Sequence, residues 1–283
     1  MQLKGEGVEV IINTNIAALT AYNNLMYNYN SMVKSFERLS SGKRINSAAD
    51  DPAGLAISEK MKSQINGLSQ AQRNAQDAVS LIQTAEGGLK ESHSILQRMR
   101  ELTVQAANDT NSSEDRANIQ LEIDQLAEEL TSIAEYNQFN TKTLLDGSFD
   151  GVFQIGANQG QTLQLQISDM SAEALDIVDN DGKAIKVTDH ETASESIGIL
   201  DEALKKVSSE RSKLGAVQNR LGHTINNLRT TELNLTAAES RISDVDMAKE
   251  IMNLMRHQIL VQVGIAILAQ ANQMPQTILQ LLA

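Results

Sequence analysis

The chain has no cysteine and no tryptophan, and only two prolines, Pro52 and Pro275, among 283 residues. Without cysteine there is no disulfide and no thiolate metal site, an absence that suits a protein leaving the cell. Aromatic residues make up 3% of the chain, so little buried area can come from large rings and packing must rest on aliphatic side chains and alanine. Scarce proline leaves room for long uninterrupted helices. Positive charge is also short: 24 Lys and Arg stand against 36 Asp and Glu, a formal net charge of -12, which argues against nucleic acid as a partner. The opening "MQLKGEGVEVIINTN" lacks the basic n-region and long apolar h-region of a secretory signal, so export would need another route.

What the chain does have is heptads. Met61, Leu68, Ala75, Ile82, Leu89 and Leu96 are each seven apart, with Ala71, Ala78, Ala85 and Met99 three further on. Leu200, Val207, Leu214, Leu221, Leu228, Leu235 and Ile242 repeat the spacing near the other end. Such seams predict coiled-coil packing between helices over residues 52–107 and 192–245, each roughly 80 Å long. A shorter helix over 113–136, with Ile119, Ile123, Leu126, Leu130 and Ile133, folds back as a third member. Pro52 at a first helical position, behind Asp50 or Asp51 as cap, starts the first long helix.

Between the helical zones, "VFQIGANQGQTLQLQIS" alternates Phe153 and Ile155, then Leu163, Leu165 and Ile167, around Gly156 and Gly160, which predicts a β-hairpin over about 150–168. Polar residues then predict a short variable loop over about 169–191.

The two ends mirror each other. Ile16, Leu19, Leu25, Met32 and Leu39 give residues 13–39 an apolar side, and an irregular arm from Ser40 to Gly42 separates them from the bundle. Met247, Leu254, Val261 and Leu268 are seven apart, with Ile251 and Ile265 beside them. The tail from His257 to Ala283 has no acidic residue and no Lys or Arg. Gln258, Gln262, Gln270, Asn272 and Gln273 interrupt it, Pro275 is expected to end the run, and no basic cluster leads it, so membrane insertion is not expected. The tail's natural partner is the start of the same chain, with ordering expected on assembly. The fold class that follows is mainly α: a long antiparallel helical bundle with coiled-coil packing, one small β-hairpin, and amphipathic terminal helices pairing with each other. Residues 1–45 with 246–283 form one domain and 46–245 the other.

Catalytic chemistry finds no foothold. His93, His190, His223 and His257 are scattered without metal-ligand spacing. "DNDG" at residues 179–182 lacks the closing Glu of a calcium loop. "EGG" at residues 86–88 does not follow a strand, and a helix that lets a neighbour approach explains it better than phosphate binding. Neither an enzyme nor a cofactor is expected.

The chain resembles bacterial flagellin. The resemblance is carried by "INTNIAALTAYNNL", "RLSSGKRINSAADDPAGLAISEKM", "RNAQDAVSLIQTAEGGL", "LQRMRELTVQAANDT", "FNTKTLLDG", "KLGAVQNRLGHTINNL", "NLTAAESRISDVDMAKE" and "LAQANQMPQTILQLL". They span residues 12–282 in family order. The short stretch between the hairpin and the last bundle helix matches a flagellin without large outer domains. Four features depart from the family pattern: the leading "MQLKGEGVEV", expected to be an extension or a misassigned start, the very apolar "LVQVGIAI", Ala283 where the family commonly has a basic residue, and Gly222 inside a helix.

The resemblance implies a secreted subunit that polymerises with copies of itself into an extracellular filament for swimming. The terminal helices would form the filament core, through Ile16, Leu19, Leu25, Met32, Ile251, Leu254, Val261, Ile265 and Leu268. It further implies an export chaperone, the flagellar type III export apparatus, and filament cap and hook-junction proteins as partners. A host innate immune receptor is a further implied partner, contacted through Arg98, Leu102 and Glu122. A bundle role for Leu102 and subunit contacts for Arg98 and Glu122 are the plainer reading of those residues. Two alternatives are a hook–filament junction protein and a cytosolic coiled-coil scaffold.

Overall fold

Apolar heptads with few prolines produce long helices. The computed structural model describes residues 14–178 and 184–282, with side chains as far as Met274. Its helices are α1 (Ile16–Ser41), α2 (Pro52–Ala106), α3 (Ser113–Tyr136), α4 (His190–Ser243) and α5 (Met247–Leu282), and its strands β1 (Gln138–Phe139), β2 (Lys142–Thr143), β3 (Asp150–Gln154) and β4 (Thr162–Gln166). The leading extension, the 179–183 stretch once weighed as a calcium loop, and Ala283 lie outside the described residues. The chain forms two compact units, Ser63–Asn234 and Met1–Lys62 with Leu235–Ala283. The division therefore falls within the long helices rather than at residues 45/46 and 245/246.

In the Ser63–Asn234 unit the predicted seams are the core. Leu68, Ala75, Ile82, Leu89 and Leu96 of α2 are buried, as are Leu200, Val207, Leu214, Leu221 and Leu228 of α4. The ion pairs Arg100–Asp201, at 2.6 Å, and Glu86–Arg211, at 4.0 Å, show the helices antiparallel. Helix α3 starts on a capping box: Ser112 accepts from the backbone of Asp115, whose carboxylate accepts in return from Ser112. It buries Ile119, Ile123, Ala127, Leu130 and Ala134, while Leu126 and Ile133 pack at the edge of the core. Gly88 answers the "EGG" question. A Cβ there would collide with Asn137 and Leu145, and Asn137 donates to the Thr84 carbonyl across the bare backbone.

The predicted hairpin is β3 with β4, antiparallel, Phe153 opposite Leu163. Leu163 and Leu165 point into the core and their neighbours out, as the pleat requires. Two features differ from expectation. A second antiparallel pair, β1 with β2, precedes the hairpin, so there are two small strand pairs rather than one. Residues 169–178 and 184–187 are not a solvated loop. Met170, Ala172, Leu175, Ile177, Ile185 and Val187 are all buried in the core, because apolar residues without regular spacing still gain by leaving water.

In the other unit, the arm is fixed by backbone pairing. Lys43 bridges Asp244, Arg44 N–H donates to the Ser243 carbonyl at 2.7 Å, and Val245 N–H donates to Gly42. Gly42, at φ +70°, ends α1 in the left-handed conformation that glycine adopts without penalty. Of the two candidate caps, Asp51 holds α2: its Oδ1 accepts from Gly54 N–H at 2.9 Å. Asp50 instead closes the preceding turn, accepting the N–H groups of Asn46 and Ser47. The Ser47 N–H, more than any other group, holds the Asp50 carboxyl below the ordinary range. Ser58 donates to Glu239 at 2.8 Å, and such ties place the first turns of α2 and the last of α4 in this unit. Helix α5 is continuous through Pro275 to Leu282, so the proline does not end it; a helix can accommodate the loss of one backbone bond when the rest of the ladder holds. It is also already helical against α1, where ordering only on assembly was expected.

Candidate assembly surface

Helices α1 and α5 pair antiparallel, in one register along their length. Asn15 donates to the Ala271 carbonyl at 2.7 Å. His257 meets Asn28 at 3.2 Å. Arg38 lies 3.9 Å from Glu250, a carboxylate buried in the unit. Backbones come close midway, where a Cβ on Gly264 would stand 3.2 Å from a Leu25 methyl.

The residues that make this contact are mostly small or polar, interleaved with a few aliphatic ones. On α1 the less exposed positions are Ala18, Ala21, Leu25, Asn28, Met32 and Ser35; on α5 they are Glu250, Leu254, His257, Val261, Gly264, Leu268 and Ala271. Both series step by three and four, the coiled-coil rhythm. Polar groups at such positions fix register more than they add stability.

Most of the large apolar side chains lie elsewhere. Leu19, Tyr22, Met26, Tyr29, Val33 and Phe36 form a second heptad stripe along α1, each between 40% and 56% exposed. Four of the chain's eight aromatic residues, Tyr22, Tyr27, Tyr29 and Phe36, are exposed on this one helix. On α5, Met252, Met255 and Ile259 fall on the side opposite the α1 contact, and all are exposed. Of the 24 exposed large hydrophobics among the described residues, 18 belong to these two helices. Covering one such side chain contributes about 1.5–3 kcal/mol, and a contiguous patch of this kind marks an interaction surface. Rings that pack with little entropy loss are favoured in interfaces.

The residues expected to form an assembly core divide accordingly. Leu25, Met32, Leu254, Val261 and Leu268 are half-buried in the α1/α5 contact, whereas Ile16, Leu19, Ile251 and Ile265 face outward. The outer stripe from Tyr22 to Phe36 is not in that expected set beyond Leu19. Its spacing was legible, but tyrosines are not counted in an aliphatic seam. By length and composition α5 is apolar enough over Met247–Met274 to cross a membrane, yet Arg256, His257 and several Gln side chains punctuate it and one face is taken up by α1.

The three expected receptor-contact residues are partly brought together. Arg98 Nη2 lies 2.9 Å from Glu122 Oε1, bridging α2 and α3 on the surface, and Arg98 also reaches Glu101 at 3.4 Å. The Glu122 carboxylate raises the Arg98 pKa further above its ordinary value. Leu102 is 3% exposed and belongs to the core. No group of three or more His, Asp or Glu among the described residues is placed to hold a metal ion.

Comparisons with known proteins agree with this layout. The bacterial flagellin N-terminal helical region matches residues 12–150, and the bacterial flagellin C-terminal helical region matches residues 197–282. A flagellin of Halalkalibacterium halodurans is 54% identical over 274 residues, covering 96% of this chain and 100% of that one. A flagellin of Bacillus subtilis is 50% identical over 301 residues, covering 96% and 99%. The solved structure of a putative flagellar hook-associated protein from Vibrio parahaemolyticus covers 69% of this chain and 100% of its own, with a TM-score of 0.58 at 15% identity, which shows a shared fold and nothing finer. Identity near one half over almost the entire length favours the filament subunit over the junction protein and the cytosolic scaffold, and the family is one of structural proteins. The chain belongs to the flagellin family, as a short form that serves as a structural subunit of the bacterial flagellar filament.

Proposed function

We propose that copies of the chain polymerise through the outward faces of α1 and α5, which become the inner part of the filament. The uncovered stripe from Leu19 to Phe36 carries this reading. An isolated helix pair gains nothing from large apolar residues facing water, whereas neighbours in a polymer would cover them. The close approach of the helices at Gly264 would keep the pair thin and hold the stripe in a fixed orientation.

The filament works outside the cell, and the subunit reaches that place through the flagellar type III channel. A chain without disulfides, built from helices with short-range hydrogen bonds, suits passage in an unfolded state. An export chaperone would cover the α5 face before export, and the cap and hook-junction proteins would meet the same terminal helices. The test is seeded polymerisation of Val33→Asp. Loss of filament growth with an unchanged circular dichroism spectrum is expected. Normal filaments from this variant would remove the stripe from the interface.

A host receptor contact rests on the exposed Arg98–Glu122 pair. Leu102 would act there only by supporting α2 from within. Reporter cells should respond less to Arg98→Ala with Glu122→Ala than to the unchanged monomer, and an equal response would end that reading.

A further inference from the structure

Methionine is the chain's only sulfur-containing residue, because cysteine is absent. Its distribution is uneven. In the Ser63–Asn234 unit Met99 and Met170 are buried at 0% and 4% exposure. On the terminal helices Met26, Met247, Met252, Met255 and Met274 are 40% to 64% exposed. Met26 sits within the outer stripe of α1. Met252 and Met255 are three residues apart on the side of α5 opposite its contact with α1. The sulfurs open to solvent thus coincide with the surface proposed for assembly.

We infer that Met26, Met247, Met252, Met255 and Met274 are an oxidation-sensitive site that gates polymerisation. The inference rests on the reading of α1 and α5 as the assembly surface. Hydrogen peroxide oxidises a thioether by direct oxygen transfer. The sulfur lone pair attacks one peroxide oxygen, the O–O bond breaks, an S–O bond forms, and the other oxygen leaves as water after proton transfer. Each sulfur is oxidised to the sulfoxide as one peroxide is reduced to water. The sulfoxide is polar and a strong hydrogen-bond acceptor, where the thioether was apolar and adaptable. On a free monomer it stays solvated at no cost. In a polymer interface it must be buried without a partner, which is unfavourable. Thiol-dependent methionine sulfoxide reductases reverse the change, so it is a switch rather than a terminal lesion. Oxidation should bar monomers from joining, while assembled subunits, with these sulfurs covered, resist it.

The experiment exposes monomer and intact filament to the same limiting hydrogen peroxide and maps the added oxygen by peptide mass spectrometry. Treated monomer is then tested in seeded growth. In monomer, the five exposed residues should oxidise well before Met99 and Met170, and the critical concentration should rise roughly tenfold or more. In filament the same five should be protected. A variant carrying Met26→Leu, Met247→Leu, Met252→Leu, Met255→Leu and Met274→Leu should polymerise normally and lose the peroxide effect. Met252→Gln with Met255→Gln, polar without any oxidant, should reproduce the defect. Protection in the filament combined with normal growth of oxidised monomer would overturn the inference and leave the assembly reading intact. Equal oxidation in filament and monomer would overturn both. A peroxide effect that persists in the five-leucine variant would move the site elsewhere and overturn the assignment.

Discussion

The two units use the same heptad spacing to opposite ends. In the Ser63–Asn234 unit, the heptads turn large side chains inward: Ile82, Leu89, Leu96, Leu214 and Leu221 are all at 0% exposure. In the α1/α5 pair, the heptads that meet mix Leu25, Met32, Leu254, Val261 and Leu268 with the small or polar Ala18, Ala21, Asn28, Ser35, Glu250, His257, Gly264 and Ala271, and most of the large residues form a separate stripe facing out. The long helices show the change along their own length. Members of the seam that lie in the terminal unit, Met61, Leu235 and Ile242, are only half-buried. Period alone tells that a helix packs; which side chains occupy the seam tells whether its stabilisation comes from within the chain or from a neighbour.

The contrast breaks most completely if the terminal pair is shortened. Deleting residues 251–283 should abolish filament formation and leave the thermal unfolding of the bundle nearly unchanged. Electron microscopy after seeding and circular dichroism give the two readouts; filaments from the truncated chain would mean that the outer stripe of α1 suffices. The reverse experiment places a charge in the other seam. Leu221→Asp puts a carboxylate at a fully buried position without a partner and should cost about 3–5 kcal/mol, seen as a large fall in Tm. An unchanged melting curve would show that the α4 seam tolerates water.

Much of this contrast was legible in the residues. Long helices, their antiparallel bundle and the pairing of tail with start follow from spacing over several heptads, a signal that accumulates with length. What was illegible was short or aperiodic. The β1/β2 pair has two residues per strand, and its turn passes through Asn140 and Thr141 at φ 48° and 66°. Such turns are usually announced by Asn-Gly; a β-branched threonine there hides the signal, since it is disfavoured at positive φ. Residues 169–178 and 184–187 bury six apolar residues with no repeat to betray them. In the assembly surface the difficulty was different. The expected set Ile16, Leu19, Leu25 and Met32 mixes two faces of α1, because aliphatic residues were followed and tyrosines were not. Arg98 and Glu122 could be placed on neighbouring helices from sequence, but the burial of Leu102 required the packed core.

Two smaller changes sharpen the comparison. Gly264 lets α1 and α5 approach, and Gly264→Val should wedge them apart, costing about 1–3 kcal/mol of pairing. Reduced helicity with an intact bundle transition is the expected signature. Gly264→Ala should be much milder, since its Cβ meets the end of the flexible Leu25 side chain. In the bundle, by contrast, Gly222 has open space where a Cβ would stand. Gly222→Ala should therefore stabilise α4 by about 1 kcal/mol, the helix-propensity difference, measured as a raised midpoint in urea. No gain would indicate that α4 is not stably helical around residue 222 in the isolated chain.

The smallest effect concerns the arm of the terminal unit and its dependence on pH. The Asp50 carboxylate is held below the ordinary range first by the Ser47 N–H, then also by Asn46 N–H, the Ser47 hydroxyl and the charge of Arg38, against the opposing effect of burial. A carboxyl whose pKa is lower folded than unfolded favours folding only when ionised. Its contribution is complete above the unfolded pKa, about 3.9, and declines as pH falls through the lower folded value. Asp50→Asn keeps one carbonyl oxygen to accept from the same turn but removes the charge. The Tm difference between the chain and this variant should thus be positive at pH 7 and shrink as the solution is acidified below about pH 4. Melting curves at a series of pH values decide it. A difference that stays constant down to pH 2 would mean that the turn depends on the shape of the side chain and not on its charge, and that the arm, like the α1/α5 contact, is specified by geometry.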